Sequence, residues 1–145
     1  DYLKRSGNYN DITAQDKTHH LAYQDGKTSK FQLKPDIVIN SGQIIADTKW
    51  KLLSEDKTHQ GISQPDMYQL YAYGTKYKNC RNMYLIYPYD GFDSQNSYQY
   101  FKNENTLGYS IDESNWNAKG KLHLNILFFD VTQDNPCFIK ESSDE

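Results

Sequence analysis

Two aspartates and one lysine are spaced for chemistry on a phosphodiester. Asp36 follows Pro35 and leads into the apolar run Ile37-Val38-Ile39, while Asp47-Thr48-Lys49 closes a second run, Ile44-Ile45-Ala46. Residues two apart on an extended strand project to the same face, so Asp47 and Lys49 would point together. A short turn at Ser41-Gly42 would lay the two runs side by side and bring the Asp36 carboxylate to that of Asp47. Two carboxylates held close repel each other and one pKa rises, unless a divalent cation resolves the conflict. Mg²⁺ held by Asp36 and Asp47, with Mn²⁺ as a substitute, would keep water ligands and leave room for a phosphate oxygen. Lys49 would orient the attacking water or stabilise the charge that builds on the phosphate.

The triplet alone says little. Chance gives about two acid-x-lysine triplets in a chain this rich in both, and this one has three, at 25–27, 47–49 and 55–57. Asp25-Gly26-Lys27 reads as a turn and Glu55-Asp56-Lys57 as a solvated loop. Only the middle one follows an apolar strand, has a second acid one hairpin upstream, and precedes a helix carrying Gln69-x-x-x-Tyr73. Gln69 also fits the polar side of that helix, and Tyr73 also fits a core aromatic with a hydrogen-bonded hydroxyl.

The elements that must position these residues follow from periodicity. Residues 19–24 predict a short strand, Asp25-Gly26 a tight turn, 31–40 a second strand and 43–53 a third, joined as a meander. Ser63-Gln64-Pro65-Asp66 has the marks of a helix start: a Ser cap, a first-turn Pro and an acid three residues on. Met67, Leu70, Tyr71, Gly74 and Tyr77 then recur at helical spacing, predicting an amphipathic helix over 65–77. Residues 83–87, stopped by Pro88, predict a buried strand. Residues 89–110 predict a Tyr-rich loop with a weak hairpin, and 121–131 a last strand with Leu122, Leu124, Ile126 and Phe128 on one face. Residues 1–18 read as the end of an earlier element and a loop, and 132–145 as an exposed tail. The expected fold is one α/β domain over 1–145, a mixed central sheet (strand meander, helix, strand) flanked by helices. The chain opens at Asp1 without Met and is expected to be part of a longer protein.

At this point a family comes into view. Leu33-Lys34-Pro35-Asp36-Ile37-Val38-Ile39, followed by Ile45-Ala46-Asp47-Thr48-Lys49-Trp50-Lys51, resembles the PD-(D/E)XK nuclease superfamily. More narrowly, it resembles the C-terminal nuclease region of the McrC family, subunits of 5-methylcytosine-specific restriction systems. The helix segment 66–73 and Leu85-Ile86-Tyr87-Pro88 match the family pattern in order and spacing. The resemblance covers about 30–90 well and 122–130 more loosely. It implies a restriction-endonuclease-like core with Asp36, Asp47 and Lys49 as the catalytic set, and Asp36, Asp47 and the Thr48 carbonyl as metal ligands. Gln69 and Tyr73 would be the Q-x-x-x-Y pair near the metal or the DNA. The implied activity is that of a Mg²⁺-dependent endodeoxyribonuclease whose partner is a GTP-hydrolysing AAA+ motor of the McrB type. Two such subunits would pair for a double-strand break. The family's motor-engaging N-terminal part would lie outside this chain.

Composition sets limits on the alternatives. Of 145 residues 37% are hydrophobic, yet 13 are Tyr, whose ring buries well although hydropathy scales score it as polar. The net charge of -3 excludes a protein that lives on nucleic acid by bulk charge alone, so a local site or another part of the assembly must supply much of the affinity. No apolar run approaches the roughly 18 residues of a membrane span. Cys80 and Cys137 form no CxxC, which argues against zinc or a disulfide scaffold and fits the cytoplasm. His19, His20, His59 and His123 show no metal-ligand spacing. No nucleophile motif or Gly-rich phosphate loop is present, so this domain should not itself hydrolyse nucleotide. Tyr98 and Tyr100 are expected to be exposed, where they would stack on bases. Two rival readings stand beside the nuclease: a catalytically silent nuclease-like scaffold or protein-binding module, and another PD-(D/E)XK enzyme of repair or recombination.

Overall fold

The longest apolar runs become the centre of one mixed sheet. The computed structural model describes residues 11–93, 97–100, 122–132 and 137–138. In chain order the strands are β1 (Ile12–Ala14), β2 (His20–Gln24), β3 (Thr28–Gln32), β4 (Ile37–Ile39), β5 (Ile44–Thr48), β6 (Asn82–Pro88), β7 (Ser97–Tyr100), β8 (Leu122–Asp130) and β9 (Cys137–Phe138). The helix α1 (Gln64–Lys76) lies between β5 and β6. The main sheet runs β1-β4-β5-β6-β8-β7, with β9 also on β8. β5, β6 and β8 are parallel neighbours, and the other pairs are antiparallel. A parallel pair needs a crossover, and α1 supplies it between β5 and β6. β6 is central and buries Met83, Leu85, Ile86 and Tyr87. β8 buries alternate residues, Leu122, Leu124, Ile126 and Phe128, as its period-two pattern requires.

Ser63 caps α1 by accepting from the Asp66 N–H at 3.1 Å, a contribution of about 1 kcal/mol. The helix buries Leu70, Tyr73 and Gly74. Gly74 is what lets it close on the sheet: an added Cβ would collide with Leu122 Cδ2 and lie 3.0 Å from Met83 Sδ.

The far end of the helix is tied to the segment after β1. The Tyr77 hydroxyl and the Thr18 hydroxyl both donate to the Asp16 carboxylate, and the Tyr77 ring lies 4.2 Å from that of His19. Burial raises the Asp16 pKa, but these hydrogen bonds outweigh it and hold the group below its ordinary 3.8. A depressed carboxyl pKa contributes stability that is present above the unfolded value and lost as pH falls through the folded one. Tyr77→Phe is therefore expected to cost about 1–2 kcal/mol at neutral pH. Urea melts at stepped pH should show its gap from wild type narrowing in acid; a gap constant with pH would exclude the Asp16 contact as its source.

The expected three-strand meander is instead two separate hairpins. β2 and β3 pair only with each other, off the main sheet. The chain leaves extended geometry at Phe31, where φ is 57°, and then passes Pro35, which has no N–H for a ladder. The main sheet's own hairpin is β4–β5, turned by Asn40–Gly42. The third strand stops at Thr48 rather than at 53, leaving Trp50 and Leu52 exposed. Within 1–18, Ile12–Ala14 is a strand on β4 rather than loop, and residues 1–10 lie outside those described. Within the tail expected over 132–145, Cys137 and Phe138 pair with Asp130 and Phe129, and residues 133–136 and 139–145 lie outside those described. Of the loop with a weak hairpin expected in 89–110, β7 is a strand that pairs with β8, and residues 94–96 and 101–110 lie outside those described. Of the flanking helices one, α1, is found among the described residues. Tyr98 and Tyr100 are half-buried rather than exposed: the Tyr100 hydroxyl donates to the Met67 carbonyl at 2.6 Å and its ring packs on Tyr71. No helix among the described residues is long and apolar enough to cross a membrane.

Candidate active site

The antiparallel register of β4 and β5 pairs Ile37 with Ala46, so Asp36, just before β4, falls beside Asp47 on β5. The two acids are interlocked. The Asp36 N–H donates to Asp47 Oδ1 at 3.1 Å, and Thr48 donates to Asp36 Oδ2 from both its N–H and its hydroxyl, each at 2.8 Å. Asp47 is buried, 4% exposed, and Asp36 is half-buried.

Lys49 sits one residue past β5 and extends that ladder by donating its N–H to the Ile86 carbonyl at 2.9 Å. Its ammonium lies 3.0 Å from Asp47 Oδ2 and 3.2 Å from Asp66 Oδ1, and donates to Gln69 Oε1 at 2.6 Å. An ammonium has three N–H donors, and all three are engaged. Asp66, Gln69 and Tyr73 are spaced by three and four, which puts them on one face of α1. Lys51 reaches the other oxygen of Asp66 at 3.8 Å.

Burial pushes the Asp47 pKa above its ordinary 3.8, and the like charge of Asp36 adds to it, more than the Lys49 ammonium takes away. Burial alone would lower Lys49, but two carboxylates, Asp47 and Asp66, hold it above its ordinary 10.5. Lys49 is therefore a fixed cation at neutral pH. Burial, with the negative charges of Asp47 and Asp36, pushes Tyr73 up to about 12, so it remains a neutral phenol.

Asp36, Asp47, Thr48, Lys49 and Gln69 thus come together as one network, with Tyr73 deeper on its core side and within the field of both aspartates. Among the described residues, no three His, Cys, Asp or Glu side chains gather as a ready-made metal set. Two carboxylates and a backbone carbonyl are a hard-oxygen donor set, which fits Mg²⁺, since that ion takes one or two carboxylates and keeps several waters. Among the described residues Asp36 Oδ1 accepts no hydrogen bond and is free for such a role.

Sequence reasoning missed three members. Asp66 was legible only as a capping acid, although its spacing to Gln69 and Tyr73 signals a shared face. Lys51 is its second cation. Tyr87 is fully buried on β6, its hydroxyl has no partner among the described residues, and it lies in the field of Asp66; no sequence signal marks it.

A family model described as "McrBC 5-methylcytosine restriction system component" matches residues 1–88. The chain belongs to that family. The span matched in this McrBC family member holds every residue of the network just described and ends on the last residue of β6. The chain is also similar to one in a solved structure, a refined half-complex from a tetradecameric assembly of Thermococcus gammatolerans McrB AAA+ hexamers with bound McrC. That likeness has 16% identity and a TM-score of 0.47, and covers 88% of this chain and 25% of the other. This McrBC family member therefore spans about a quarter of the length of that chain. A comparison with curated protein sequences finds no match.

Proposed function

We propose that this chain carries the DNA-cleaving centre of a modification-dependent restriction system, a Mg²⁺-dependent endodeoxyribonuclease acting on phosphodiester bonds. The observation that carries this reading is the Lys49 ammonium lying 3.0 Å from one of two interlocked carboxylates, in a chain of the McrBC family. Asp36 and Asp47, with the Thr48 carbonyl, would hold the ion, and Mg²⁺ bound there supplies Lewis acidity toward a phosphate oxygen. Lys49, held protonated, cannot take a proton from water. It is a positive charge fixed beside the reacting phosphate, and it lowers the barrier by meeting the negative charge that develops there. Asp66 and Gln69 fix where that charge sits, and the neutral Tyr73 phenol supports Gln69 from the core side. Duplex DNA is the substrate in this reading, and an AAA+ GTPase of the McrB type the partner. One such centre cuts one strand, so a double-strand break takes two copies.

Plasmid nicking by the full-length protein with its motor tests the assignment. Asp47→Ala and Lys49→Ala should each lose at least about a hundredfold in rate; cleavage undiminished in both would refute it. A second reading, a silent nuclease-like scaffold, draws on the fact that Asp36 Oδ2, Asp47 Oδ1 and Asp47 Oδ2 already face protein donors. Calorimetry separates the two. An intact site that takes up neither Mg²⁺ nor Mn²⁺ at millimolar concentration is the scaffold.

A further inference from the structure

The β2–β3 ribbon contributes little to the core. Residues 21–32 are all exposed, and the two strands pair only with each other. A lone two-stranded hairpin is marginal in water, and an exposed apolar surface on one signals a contact to be made. Here that surface is aromatic: Tyr23 and Phe31 are each 72% exposed, with Leu21 beside them. Phe31 also holds a left-handed backbone, φ 57°, a costly conformation for a bulky side chain. The tip is sharp, with Asp25 and Gly26 both at positive φ and the Lys27 N–H donating to the Gln24 carbonyl at 3.1 Å. Glycine at the second position makes such a turn accessible.

Charge and position say what the surface meets. Lys17, Lys27, Lys30 and Lys34 are exposed on or beside the ribbon, where Asp25 is the exposed acid and Asp16 and Asp36 lie half-buried at its base, in a chain whose net charge is -3. Exposed aromatics interleaved with lysines match a groove of duplex nucleic acid, with phosphates along its rims and base edges, thymine methyls among them, on its floor. The base of the ribbon is closed by Leu33 N–H to His19 O at 2.8 Å, three residues before Asp36. Five residues of strand reach about 17 Å, and the major groove of B-DNA admits a two-stranded ribbon.

We propose that the β2–β3 ribbon enters a groove of duplex DNA beside the scissile phosphate, with Lys27 and Lys30 on backbone phosphates and Tyr23 and Phe31 against the bases. This rests on the nuclease reading for its substrate and places the local affinity that the overall charge withholds.

Anisotropy of a labelled duplex without divalent metal, across a salt series, tests it on the full chain. Lys27→Ala/Lys30→Ala should weaken binding and flatten the logarithmic salt slope by about 0.9 for each phosphate that is no longer neutralised. Tyr23→Ala/Phe31→Ala, which removes apolar contacts to base edges, should weaken binding roughly tenfold with the slope unchanged. Circular dichroism melts confirm that both variants fold. Wild-type affinity and slope in both variants overturns the proposal, as does a wild type that binds no duplex. Unchanged duplex binding with impaired self-association, or with impaired capture of the motor subunit, overturns it in favour of those occupants. The two readings fail separately. Wild type that binds duplex through the ribbon yet neither nicks nor takes up metal removes the cleavage reading alone. Ribbon variants that bind and nick normally, while Asp47→Ala does not, remove the ribbon alone.

Discussion

Asp47→Asn is expected to cut DNA at least about a hundredfold more slowly than wild type, yet to melt a few degrees higher at neutral pH in the absence of divalent metal. Both effects have one source. Asn keeps an acceptor for the Asp36 N–H, which Asp47 now receives at 3.1 Å, but carries no charge to bind a cation. Burial and the Asp36 carboxylate raise the Asp47 pKa in the folded protein, so its ionised form is the less stable one there than in the unfolded chain. With a raised folded pKa, the stability Asp47 contributes is whole below 3.8 and falls as pH climbs through the folded value. The advantage of Asn therefore opens over that window and persists at neutral pH. Thermal melts from acid to neutral pH measure it. Adding Mg²⁺ should then raise the wild-type melting temperature and leave that of the variant where it was. A variant less stable than wild type at neutral pH would mean that the Lys49 pair outweighs burial, and the site would be a structural ion pair rather than one primed for a cation.

Gly74→Val is expected to destabilise the fold by about 3 kcal/mol or more. A helix interior ordinarily gains up to about 1 kcal/mol when a glycine is replaced by a better helix former. That gain is small here beside the collision, because the added carbon meets Leu122 Cδ2 and crowds Met83 Sδ, and both neighbours are fully buried. Nor can Leu122 swing away: β8 holds it between α1 and the rest of the core. Leu122→Ala makes room, so the Gly74→Val/Leu122→Ala protein should be more stable than the sum of the single losses predicts. Chemical denaturation of the four proteins measures this coupling, and strict additivity would place the helix farther from β8 than it is.

Much of this architecture could be read from local signals. Ser63, Pro65 and the Met67–Leu70–Gly74 spacing gave the helix to within a residue of its bounds, and β6 and β8 emerged from compact or alternating apolar runs. What failed were places where apolar residues do not pack. Phe31, Trp50 and Leu52 extend two predicted strands on the premise that apolar side chains are buried, and all three are exposed. β1 has only three residues, with none fully buried, so it carries no period to detect. The candidate site shows the same division. Asp36, Asp47 and Lys49 are close in sequence along one hairpin, and their meeting follows from strand geometry. The meeting of Lys49 with Asp66 and Gln69 depends on how α1 is rotated over the sheet, which packing by Leu70, Tyr73 and Gly74 decides.

Trp50 follows Lys49 directly in the chain and is 82% exposed. Its indole is a native fluorophore facing water, next in the chain to the candidate site, so whatever covers that ring changes the colour and intensity of its emission. The arrival of any partner on that side can thus be followed optically, without attaching a dye.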